Sequence, residues 1–145
     1  MMNEPISTIM TTDVVTVGPD DNLATVKELL FSKRFEHIPV VKGPNKKLVG
    51  IVTPHDLLVL NRKFEEYASI RVADVMTTKI ATFRPLEKIG AAAQVFLRHL
   101  FRAMPVVNDD QELVGIITSH DILKYNFDKA YPDDIFETEW RNLEE

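Results

Sequence analysis

The chain has no cysteine. That excludes a disulfide framework and any zinc site built on thiolates, and it fits a reducing compartment. Glycine is sparse, five in 145 residues. None falls in a phosphate-cradling Gly-rich loop or a dinucleotide fingerprint; the few present are spent on turns and strands. No hydrophobic run approaches the roughly 20 residues of a membrane span, and Met1–Pro5 lacks the basic and apolar regions of a signal peptide. The cytoplasm is therefore the expected location, with no membrane association. Lys and Arg number 17 against 22 Asp and Glu, a formal net charge of −5. Phosphate-backbone binding rests on clustered cations, so no nucleic-acid partner is expected, although the balance leaves room for a local basic pocket. No nucleophile stands at a recognisable spacing from a base, and no His-x-x-x-His or Glu-x-x-His helix motif offers a metal site. Neither an enzyme nor a resident metal is expected.

What the chain does have, it has twice. Leu48–Leu58 returns nearly letter for letter as Leu113–Leu123. In each copy an apolar run containing Gly reads as a buried strand, and Thr followed three residues later by Asp reads as a helix start. Such a start presents unpaired N–H groups and the positive end of the helix dipole, a ready site for an anion such as phosphate, while the Asp can accept from paired hydroxyls such as those of a ribose. The same Thr-x-x-Asp pattern also satisfies a helix cap, and both roles can hold at once.

In chain order, Ile9–Val17 reappears 66 positions on as Val75–Phe83, each a short β-prone segment ending near a proline, Pro19 or Pro85. A helix follows in each copy. Leu23, Val26 and Leu30 keep helical spacing in the first, and Ile89, Ala92 and Phe96 hold the corresponding places in the second. Phe35–Val41 then matches Phe101–Val107, and polar connections at 43–45 and 108–110 suit hairpins. Each copy thus reads strand, helix, strand, strand, helix, with an expected division into 5–62, a linker 63–70, 71–127, and an acidic tail 128–145. Two copies of about 60 residues are expected to pack about a pseudo-twofold axis and bury their apolar faces jointly. Met10 and Met76 read as core fillers. In the tail, Phe136, Trp140 and Leu143 keep the spacing of a short amphipathic helix.

Three motifs, in order and twice, resemble a tandem pair of CBS domains, the adenosyl-ligand-binding repeat named after cystathionine beta-synthase. They are Met-Thr-Thr at the head of each copy, Ile38-Pro39-Val40-Val41 and Met104-Pro105-Val106-Val107 in the middle, and the Gly-Ile-Val-Thr and Gly-Ile-Ile-Thr turns ending in Asp56 and Asp121. The resemblance covers nearly everything except the linker and the tail. It implies an α/β (α+β) fold of two β-α-β-β-α repeats and a stand-alone regulatory module binding AMP, ADP, ATP or another adenosyl compound in two clefts. One cleft would combine Thr118, His120 and Asp121 with Thr11, Asp13, Val15, His37, Ile38 and Pro39. The other would combine Thr53, His55 and Asp56 with Thr77, Lys79, Ala81, Ala103, Met104 and Pro105. No cofactor is implied beyond the regulatory nucleotide, with Mg²⁺ entering only alongside ATP. A homodimer is the expected assembly, and a regulated partner protein, not identifiable from the chain, would receive the signal. The competing readings are a scaffold acting through its acidic tail and a divalent-cation sensor.

The residues add an asymmetry that the resemblance does not contain. Lys79 and Arg102 flank the Asp56 cleft, where the other cleft carries Asp13 and Glu36. A phosphorylated ligand is therefore expected to prefer the Asp56 cleft. His55 and His120, second in their helix starts, are placed to approach a ligand phosphate, so binding is expected to tighten toward acid pH.

Overall fold

The structure is a computed structural model that describes residues 2–33 and 35–131. The two helices read from spacing are present. Helix α1 (Leu23–Phe31) starts at Asn22, whose side-chain oxygen accepts from the Thr25 N–H at 3.1 Å, and it buries Leu23, Val26 and Leu30. Helix α3 (Ile89–His99) buries Ile89, Ala92 and Phe96 and carries Arg98 and His99 in its last turn, where cations face the negative end of the dipole. Each is followed by a hairpin: β1 (Ile38–Lys42) with β2 (Lys47–Val52), and β3 (Ala103–Val107) with β4 (Leu113–Thr118). The two hairpins share a register, Pro39 opposite Ile51 and Pro105 opposite Ile116, and each carries a bulge one residue beyond the Pro-Val pair. Helices α2 (Pro54–Leu60) and α4 (Ser119–Ala130) complete the repeats. The C-terminal helix expected around Phe136, Trp140 and Leu143 lies outside the described residues.

One expectation fails. The head segments Ile9–Val17 and Val75–Phe83 form no strands. Each makes only isolated bridges, first to the opposite repeat (Thr11 with Ile116, Thr77 with Ile51) and then to its own (Val17 with Val40, Phe83 with Val106). A segment that changes partner within about six residues cannot build a ladder on either. The apolar faces are buried jointly, as expected, but in two clusters, and each is completed by residues from ahead of the other repeat's first helix. Ile6, Ile9 and Met10 pack with Phe83, Ile89, Phe96 and Ile117, while Tyr67, Val72 and Met76 pack with Leu23, Val26, Ile38 and Val52.

The exchange is fixed by backbone hydrogen bonds that obey the repeat. Ile89 N–H donates to Glu4 O and Ile6 N–H to Glu87 O, matching Leu23 N–H to Ile70 O and Val72 N–H to Asp21 O. The starts of α1 and α3 are thus covered by backbone from the other half. The stretch expected to be a linker contributes to this. Residues Phe64–Ser69 form a 3₁₀ helix whose Tyr67 is 2% exposed.

The halves also meet at the hairpin turns, where Leu48 N–H donates to Gln111 O and Leu113 N–H to Lys46 O. Lys46 and Gln111 both adopt left-handed backbone, φ 57° and 63°, to make these turns. Met10 and Met76 are more than fillers. A Cβ on Gly50 would stand 2.4 Å from Met76 Sδ, and one on Gly115 would stand 2.7 Å from Met10 Sδ. Each methionine occupies the space that a side chain on the opposite repeat's glycine would need.

Candidate functional site

Each helix that follows a hairpin begins where the opposite repeat's head segment bridges the second strand. Thr118 precedes α4 two residues after Ile116, which pairs with Thr11; Thr53 precedes α2 two residues after Ile51, which pairs with Thr77. Two cavities open at these crossings. The first, about 400 Å³, is lined by Thr11, Asp13, Val14, Val15, Phe35, Glu36, His37, Arg102, Ala103, Ile116, Thr118, Ser119 and His120. The second, about 590 Å³, is lined by His37, Ile51, Thr53, His55, Thr77, Lys79, Ile80, Ala81, Leu100, Phe101, Arg102, Ala103, Met104 and Pro105. Both fall in the size range of small-molecule sites.

Of the candidate residues, Thr118, His120, Thr11, Asp13, Val15 and His37 meet at the first cavity, and Thr53, His55, Thr77, Lys79, Ala81, Ala103, Met104 and Pro105 at the second. Four stand apart. Ile38 and Pro39 are fully buried and line neither cavity. Asp56 and Asp121 line neither, because both carboxylates turn back on their helix starts. Asp121 Oδ2 accepts from Thr118 N–H at 2.9 Å while Asp121 N–H donates to Thr118 Oγ1 at 3.0 Å. Asp56 Oδ2 accepts from Thr53 N–H at 2.9 Å, and its Oδ1 accepts from the Thr77 hydroxyl at 2.9 Å. These caps consume N–H groups that the sequence left unpaired, and Pro54 supplies none at the first position of α2. Anion contact therefore falls to side chains more than to helix ends.

The electrostatic asymmetry needs one correction. Lys79 lines only the second cavity and Asp13 and Glu36 only the first, but Arg102 lines both. His37 also borders both. Burial pushes its imidazole below the ordinary histidine range; Glu36 opposes the shift and Arg102 adds to it. The lining residues not singled out from the sequence include Ile51 and Ile116, Phe35 and Phe101, and Ser119 and Leu100. Two signals pointed to some of them. Phe35 and Phe101 recur at the repeat offset. Ile51 and Ile116 sit one residue before buried Val52 and Ile117, so strand alternation aims them at the opposite face. Among the described residues no three His, Asp or Glu side chains cluster closely enough to hold a metal ion, and no helix is long and apolar enough to cross a membrane.

Duplicated halves, antiparallel hairpins and paired clefts at the crossings define a tandem α+β module. The CBS domain model matches residues 6–62 and again 72–128, and the chain belongs to that family. It is 34% identical over 110 residues to inosine-5'-monophosphate dehydrogenase of Korarchaeum cryptofilum, a match covering 76% of this chain and 22% of that enzyme. The chain spans between 21% and 47% of the length of the curated relatives it matches. Among solved structures it is similar to the CBS-pair protein CBSX2, from Arabidopsis thaliana, in complex with AMP. There the TM-score is 0.78 and the identity 28%, over 88% of this chain and 99% of that one. It is similar also to the CBS domain pair of protein MJ0100 in complex with 5'-methylthioadenosine and S-adenosyl-L-methionine. That match has a TM-score of 0.70 and 26% identity, and covers 84% and 98% of the two chains.

Proposed function

We propose that this module is a regulatory sensor rather than a catalyst, binding an adenosyl ligand in one or both clefts and passing the occupancy to a partner protein. The observation that carries the reading is the convergence of Thr53, His55, Thr77, Lys79 and Arg102 on a single cavity of about 590 Å³. Hydroxyls and imidazole stand there beside two cations, with Ile51, Ile80 and Phe101 supplying apolar wall for a base. Structures similar over most of the chain hold AMP, or methylthioadenosine with S-adenosylmethionine, which supports the ligand class. AMP, ADP and ATP remain in the candidate set, with Mg²⁺ accompanying ATP. Asp56 and Asp121 reach a ribose by exchanging a cap bond for a ligand hydroxyl. Ligand joining both repeats across a cleft favours one relative arrangement, by no more than its differential affinity for the two.

A homodimer is part of the proposal. Leu58 on α2, Leu97 on α3 and Leu123 on α4 are 77%, 80% and 67% exposed, and twofold association is the commonest way to cover such surface.

The test is thermal unfolding of metal-stripped protein against AMP, ADP, ATP, S-adenosylmethionine, GTP and Mg²⁺, with sedimentation to give the assembly. A ligand at 100 times its Kd adds roughly 2.7 kcal/mol. A shift with adenosyl compounds supports the reading. Stabilisation by Mg²⁺ alone would favour the cation-sensor alternative, and no shift with any of them would favour a scaffold.

A further inference from the structure

We propose that Arg102 couples the two clefts: it is one cation shared between two anion-accepting cavities, so a phosphorylated ligand in one weakens binding in the other. The inference rests on the adenosyl reading above. His37, Arg102 and Ala103 line both cavities, and they belong to the two chain segments that open β1 and β3. Under the repeat, His37 corresponds to Ala103 and Glu36 to Arg102. The halves therefore bring unequal chemistry to their meeting point, a carboxylate from one and a guanidinium from the other.

Arg102 suits a shared role. Its backbone is held, because the Ser119 N–H donates to its carbonyl at 2.9 Å. Its side chain is exposed and, among the described residues, makes no ion pair or side-chain hydrogen bond. A long side chain on a fixed root serves whichever neighbour carries negative charge. Without Arg102 the cavities differ sharply. The second keeps Lys79 and His55, whereas the first keeps His120 with Asp13 and Glu36. A first phosphate settles in the Lys79 cleft and draws the guanidinium toward itself. The other cleft is left with two carboxylates and no arginine, so a second phosphate meets repulsion there.

The experiment is calorimetric titration of the full chain with AMP. Asp56→Ala and Asp121→Ala variants each disable one cleft and give the intrinsic affinity of the other. In the unaltered chain the weaker event should lie below its intrinsic affinity by on the order of tenfold, a modest value for coupling between sites. Arg102→Gln should bind as two independent clefts, and Arg102→Lys should keep most of the coupling. Adenosine, with no phosphate, should show none in any variant. Clefts that bind AMP independently in the unaltered chain, or coupling that survives Arg102→Gln, would overturn the inference while leaving the adenosyl reading intact. So would a first cleft that stays empty in Asp56→Ala. No AMP uptake by any form would remove both.

Discussion

The Thr77 hydroxyl donates to Asp56 Oδ1 at 2.9 Å, tying the head of the second repeat to the start of α2 in the first. The symmetry-related pair does not do this. Asp121 is satisfied within its own helix start, and Thr11 joins the other half through its backbone bonds with Ile116. A duplicated chain thus has one cleft fastened by a side-chain latch and one without it. Replacing Thr77 with Val removes the latch at nearly constant volume, and stability should fall by about 1 kcal/mol, the usual worth of such a bond. Thr11→Val should change it much less. Urea denaturation of the two variants side by side decides the matter; equal losses would mean that the latch contributes nothing specific.

Gly50 and Gly115 should both resist alanine, at a cost of roughly 1–3 kcal/mol each, the usual range for overpacking. Their rescue should differ. The three atoms nearest a Gly50 Cβ all belong to the Met76 side chain, so Met76→Ala should recover much of the loss. A Gly115 Cβ also meets the Thr11 carbonyl oxygen at 2.9 Å, which Met10→Ala cannot remove. Double-mutant unfolding curves measure this directly.

Tyr67 is the most buried residue of the stretch between the repeats and joins the first core cluster. Tyr67→Ala should cost about 3–5 kcal/mol, as aromatic truncations in cores do. A flexible linker would tolerate the change.

Stability should carry a histidine signature. His37 titrates below the ordinary range in the folded chain because burial disfavours its charged form, with Arg102 adding and Glu36 opposing. The unfolded chain therefore binds the proton more readily, and stability falls as pH drops through the unfolded histidine pKa toward the folded one. His37→Gln should flatten Tm against pH across that window. An unchanged slope would assign the dependence to another group.

How much of this was legible depended on whether a feature is local. The buried faces of α1 and α3 follow from three residues each at helical spacing, and the hairpins from apolar runs broken at Gly43–Asn45 and Asn108–Asp110. These are decided within about ten residues of chain. The two clefts were legible through resemblance, which supplied the crossing of motifs between repeats. The β-prone heads were misread because propensity says nothing about a partner, and theirs changes midway. Asp56 and Asp121 carried a cap and a ligand reading at once, and the structure shows the cap. That Arg102 borders both cavities was beyond sequence, since it depends on where two loops meet across the axis.

The exchanged head segments put the repeat seen in the sequence out of phase with the unit that packs. The first core cluster draws on residues from Val17 to Met76, and what precedes Val17 serves the second. A fragment cut at the sequence boundary, residues 1–62, would carry a segment with nothing to close and lack Tyr67 and Val72, which close its own core. A fragment running from Val17 to Met76 would hold every buried member of that cluster. Two chains opened at the stretch around Phe64–Ser69 would present one another with the same complementary pieces.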